Sequence, residues 1–166
     1  MNTMKRQNFS TVVILILVSI LLCGCGGSHK EKTILEHKHV FPEQKWNRFQ
    51  EFKHQVDIKD TETLYGISLE VVCTPDIQTD NIPIVFSIYS PGGGEAHTLS
   101  TIYLNEKSSF TGDENSSSDR IILHTIYPAR SFTEEGTYTL KFYQKVPKYD
   151  LIGVKSVKIR MYTVPE

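Results

Sequence analysis

Leu22-Cys-Gly-Cys25 is the short stretch whose residue types and order imply a defined covalent chemistry, acylation of a cysteine thiol. It matches the lipobox pattern Leu-x-Gly-Cys, and a lipoprotein signal peptidase, like other signal peptidases, wants a small residue before the cut. Gly24 supplies that residue, so the bond between Gly24 and Cys25 is the expected cleavage point and Cys25 the expected lipidation site. Acylation at Cys23 would require cleavage after the bulky Leu22.

Other candidate chemistry is weaker. His37 and His39 lie two apart, which on a strand points both rings to one side as a zinc pair requires. No third ligand is evident in their neighbourhood, and the expectation is that no metal is bound. Gly92-Gly-Gly-Glu95 lacks the Lys-Ser/Thr and the following helix that a phosphate cradle needs, and reads as a turn between strands. Asp57, Asp60 and Glu62 form an acidic group without EF-hand spacing, hence a solvated turn. His54, His97 and His124 are scattered, no Gly-x-Ser-x-Gly elbow is present, and Cys73 falls among inward-facing residues where a thiol is inert packing. A hydrolase would have to assemble its groups in space from these histidines. The reading is therefore non-enzymatic, with no catalytic residues and no cofactor.

The elements that carry these residues begin with an export signal. Lys5 and Arg6 precede an apolar run from Val12 to Leu22, about half the ~20 residues of a permanent membrane helix. Removing residues 1–24 leaves 142, enough for one core, with Cys73 as the one cysteine besides the acylated Cys25, so no internal disulfide is expected. That remainder has 16 basic and 19 acidic residues, a formal charge of -3. Such a balance does not suit nucleic acid, and membrane association has to come from acyl chains at about 0.8 kcal/mol per buried methylene. Residues 25–40, from Cys25 through a Gly-, Ser-, Lys-, Glu- and His-rich stretch, read as the lipidated end and a flexible tether.

From residue 41 to 166 short alternating runs are separated by Gly, Pro, Asn, Asp and Ser, the pattern of an antiparallel β protein. Four strands are clear: Tyr65 to Cys73, Ile84 to Tyr89, Thr137 to Phe142 and Val157 to Tyr162. Three are weaker: Phe52 to Ile58, Thr98 to Leu104, and Arg120 to Tyr127, the last apolar on both sides as a central strand would be. About seven such strands predict an all-β, two-sheet sandwich of immunoglobulin-like architecture, with longer loops at 90–95 and 107–118.

Two groups of residues are assigned structural roles. Gly136 before Tyr138 at the start of a late strand suits a tyrosine corner, in which the phenol closes back on the backbone. Trp46, Phe49 and Phe52 cluster close to the tether and are read as core, with an exposed contact patch as the alternative. Tyr89, Tyr143 and Tyr162 fall on outward positions and suggest an alternative function, a glycan-binding module of the envelope.

The order of several short motifs carries a resemblance. A lipobox cysteine is followed by Trp46-Asn-Arg-Phe49, a strand ending Val56-Asp-Ile58, Tyr65-Gly-Ile-Ser-Leu-Glu-Val, Pro91 with Gly94-Glu95, Phe132-Thr-Glu-Glu-Gly136-Thr-Tyr138 and Leu151-Ile-Gly153-Val154. The sequence resembles the gliding motility lipoproteins of Bacteroidetes, the GldH-like family, over nearly all of the mature chain. The resemblance implies a lipid-anchored, non-enzymatic β domain acting through a protein partner in an envelope complex. It supplies no catalytic residues. Bacteroidetes lipoproteins bound for the outer surface often carry acidic residues just after the cysteine, whereas Gly26-Gly-Ser-His-Lys follows here. The expected location is the outer membrane, facing the periplasm.

Overall fold

The computed structural model describes residues 31–104 and 119–165. Cys25, the export signal and the 107–118 loop lie outside them. None of the described residues is helical. Ten strands follow in order: β1 (Thr33–Val40), β2 (Lys45–Asn47), β3 (Phe52–Ile58), β4 (Tyr65–Cys73), β5 (Asn81–Tyr89), β6 (Glu95–Tyr103), β7 (Arg120–Arg130), β8 (Gly136–Gln144), β9 (Asp150–Ile152) and β10 (Val154–Thr163). They make one sheet in the order β1-β10-β4-β7, a second in the order β3-β8-β5-β6, and a two-stranded ribbon of β2 and β9. Every pairing is antiparallel.

Period-two alternation explains the two large sheets. Ile67, Leu69 and Val71 of β4, Ile84 and Phe86 of β5, Leu140 and Phe142 of β8, and Val157, Ile159 and Met161 of β10 all point into one buried layer. Their neighbours Glu70, Lys158, Lys141 and Arg160 face solvent and pair in part, as Lys158 does with Glu70 at 3.1 Å. The sandwich and its seven expected strands are present. Three strands were not legible, and one residue span is corrected. Thr33 to Val40, expected as part of a tether over residues 25–40, is a full strand hydrogen-bonded to β10, so the folded unit takes in these residues ahead of Phe41. β7, expected in a central position, is an edge strand, and its Ile121 and Leu123 project outward into solvent.

Each sheet thus has two edges, and they meet in pairs. On one side β1 lies beside β3; on the other β6 lies beside β7, joined by hydrogen bonds between Ser100 Oγ and His124 Nε2 at 2.7 Å and between the hydroxyls of Thr98 and Tyr127. The chain enters the sandwich at residue 31, beside Thr163. β1 carries it about 26 Å along the edge, and β2 and β9 cap the opposite end.

Candidate functional site

Trp46 closes that far end. It is fully buried against Phe41, Phe52 and Phe142, with ring centroids 5.6, 6.0 and 6.5 Å away. Its strand is only three residues long, and a buried amide holds it: Gln144 Nε2 donates to Trp46 O at 3.1 Å, while Gln144 Oε1 accepts from Val146 N at 2.6 Å. Val146 N would otherwise be unpaired in an apolar layer, and Trp46 O, already paired with Leu151 in the β2/β9 ladder, gains a second donor.

The next turn reverses the chain. Asn47 Oδ1 accepts from Phe49 N at 2.9 Å and Asn47 O accepts from Gln50 N at 3.1 Å, so Phe49 leaves the line of Trp46 and Phe52 and projects outward. Of the expected aromatic cluster, Trp46 and Phe52 are core, whereas Phe49 is 69 % exposed. Beside it stands Tyr149, 71 % exposed, with ring centroids 5.9 Å apart, and Arg48 covers the Phe49 ring at 5.5 Å. Ile152, also exposed, belongs to the same ribbon. Two large rings that touch each other while both face water form an apolar patch at the pole opposite the chain's entry. Tyr149 was not singled out in the sequence, where it stands between charged residues and carries no periodic signal.

A cluster of three histidines bridges the β1/β3 seam. His37 and His39 of β1 lie against Phe52 and His54 of β3. The His37 ring lies 4.6 Å from that of His39 and 4.9 Å from that of His54. His39 Nε2 and His54 Nε2 are 2.9 Å apart, which makes one a donor and the other an acceptor. His39 stacks on Phe52 at 3.9 Å. Burial, then the neighbouring His54 and His37, hold the His39 imidazole down at about 4, and burial followed by His37 also lowers His54. His39 and His54 are therefore neutral near pH 7. As the side chains stand, no three His, Cys, Asp or Glu among the described residues are arranged to hold a metal ion.

The remaining candidates resolve individually. Ser90, Gly93 and Gly94 close a hairpin turn, with Ser90 N donating to Gly94 O at 2.8 Å and Gly94 N to Ser90 Oγ at 2.9 Å, so these backbone donors serve the turn itself. Asp60 accepts from Glu62 N, Thr63 N and Thr63 Oγ1, bonds that lower its pKa and define a solvated turn. Cys73 is buried, and desolvation pushes its thiol up to about 12. Tyr138 O–H donates to Glu134 O at 3.1 Å, and Gly136 takes a φ of 128°, where an added Cβ would lie 2.9 Å from Pro91 Cγ.

Two histidines do approach serines. Besides Ser100 with His124, His97 Nδ1 is 2.8 Å from Ser87 Oγ and its Nε2 is 3.2 Å from Glu95. Ser87 is 1 % exposed and Ser100 half-buried, and neither lines the cleft of about 250 Å³ beside the β2/β9 ribbon or that of about 220 Å³ beside the Ser90 turn. The three tyrosines do not form one platform: Tyr89 and Tyr143 flank Lys141 on the β3-β8-β5-β6 sheet, while Tyr162 lies over Gly66 on the other sheet under Arg160.

The fold defines a class, an all-β, antiparallel two-sheet sandwich with one end plugged by Trp46. The family profile described as GldH lipoprotein matches residues 33–161, and the chain belongs to that family. The match begins at the first residue of β1, in keeping with that strand's place in the fold. No curated protein matches the chain. Among solved structures it is similar to part of dimeric latent PorU from Porphyromonas gingivalis, at 7 % identity and a TM-score of 0.33, over 84 % of this chain and 14 % of that one. The chain thus spans only a small share of that protein.

Proposed function

We propose that this lipoprotein is acylated at Cys25, sits in the outer membrane facing the periplasm, and acts without catalysis by holding a protein partner in an envelope complex. Membership of the GldH lipoprotein family supports the lipid anchor. The observation that carries the contact role is the exposed Phe49 and Tyr149 pair, placed at the pole farthest from where the chain enters the domain. Monomeric surfaces seldom hold two touching aromatic rings in water without a use for them, and aromatic residues with an adjacent Arg are the usual anchors of protein interfaces.

Photo-crosslinking in native envelopes tests the reading. A crosslinkable residue at position 49 or 149 is expected to capture a reproducible protein that the same residue at position 62, in the turn near the chain's entry, does not. Identical products from all three positions, or none above background, would remove the contact role.

A further inference from the structure

We propose that His37, His39 and His54 form a binding site for a divalent transition-metal ion of the zinc class, stapling the edge strand β1 to β3 across the open side of the sandwich. A seam between two sheet edges is ordinarily closed by apolar side chains; here it holds three imidazoles, His39 and His54 half-buried and His37 exposed at its mouth. Strand geometry puts His37 and His39 on one face of β1, and the opposing strand supplies the third ring.

One pair of ring nitrogens already stands near ligand spacing. Two nitrogens each about 2.0–2.1 Å from a tetrahedral ion stand roughly 3.3 Å apart. His39 Nε2 and His54 Nε2 are 2.9 Å apart, so the pair needs to open by only about 0.4 Å to admit the ion. His37 supplies the missing third ligand. Its ring is exposed, with centroids 4.6 and 4.9 Å from the other two, and its side chain is the one that has to turn for an ion to be held.

Chemistry and surroundings agree with this assignment. Imidazole suits zinc, nickel and copper. Stacking on Phe52 and Phe142 fixes the planes of His39 and His54 and keeps an apolar shell on their inner side. Solvent takes the fourth position on the open side, as in three-histidine zinc sites.

Full-length protein in detergent, stripped with EDTA and titrated with Zn²⁺ at pH 7.5, is expected to bind one ion with a Kd in or below the low micromolar range. Co²⁺ in its place should give the visible bands of a tetrahedral site. His39→Ala and His54→Ala are each expected to weaken binding at least tenfold and to abolish the Co²⁺ bands, and His37→Ala to weaken it several-fold. Circular dichroism establishes that each variant is folded. Since His39→Ala also removes packing on Phe52, the exposed His37→Gln serves as the variant least able to perturb the fold, with His97→Ala as a control that leaves binding intact. Absence of binding below about 0.1 mM, or binding that survives His37→Gln together with His54→Ala, overturns the proposal.

Discussion

Gln144→Leu probes the element that presents the aromatic pole. The buried amide is bonded to Trp46 O and Val146 N, and leucine of similar size offers neither donor nor acceptor, leaving the Val146 N–H unpaired in an apolar layer and Trp46 O with only its ladder partner Leu151. The orphaned N–H costs about 1–3 kcal/mol, the lost bond to Trp46 O costs about 0.5–1.5 kcal/mol, and the added apolar burial of leucine returns part of that sum. The net loss is about 1–3 kcal/mol, which for a domain of this length lowers Tm by roughly 3–12 °C. Urea and thermal unfolding of the wild type and variant, with the exposed Gln55→Leu as reference, measure it. Gln144→Glu adds a signature that simple packing loss lacks: it keeps the acceptor for Val146 N, loses the donor to Trp46 O, and buries a carboxyl whose ionisation is disfavoured. It should therefore be destabilised more at pH 8 than at pH 5. A Gln144→Leu variant within about 0.5 kcal/mol of wild type would refute the reasoning that this amide holds β2 in place.

Three further outcomes follow from the same geometry. Tyr138→Phe removes the hydrogen bond to Glu134 O and should lower stability by about 1 kcal/mol, while Gly136→Ala, at a φ of 128° and against Pro91, should cost about 1–3 kcal/mol in the same unfolding assay. Native protein should resist alkylation at Cys73 and react only on unfolding, as mass measurement after a pulse of iodoacetamide will read. In the presence of EDTA, stability should fall as pH drops from 6.5 toward 4: the His39 imidazole is held at about 4 in the fold against 6.5 unfolded, so the unfolded chain binds more protons in that window. The ceiling is about 3 kcal/mol, reduced by solvent screening to about 1–2, and His39→Phe should flatten the profile between those pH values.

Wherever one face of a strand is filled by apolar residues, the strand was legible: Ile67, Leu69 and Val71, or Leu140 and Phe142, can be read off by alternation because burial selects for it. β1 was hidden because the positions in line with Leu35 are His37, which is exposed, and His39, so the alternation that marks a half-buried strand is written there in polar letters. β2 and β9 are three residues each, too short for any periodicity, and what holds β2 is a side chain nearly a hundred residues away. The candidate sites divide along the same line. His37 and His39 could be paired from their spacing, but His54 joins them through the packing of one sheet on the other. Phe49 was grouped with Trp46 and Phe52 by sequence proximity, and the turn made by Asn47 separates it from them. Tyr149 meets Phe49 through the β2/β9 ribbon, a pairing that local sequence does not encode.

Attachment of lipid to Cys25 is the step on which the proposed location and role depend, and metabolic labelling with an alkyne palmitate analogue followed by detergent-phase partitioning tests it directly. Wild-type protein and Cys23→Ala should both incorporate label and enter the detergent phase, and Cys25→Ala should do neither. Label retained by Cys25→Ala, or wild-type protein that stays unlabelled and in the aqueous phase, would contradict it.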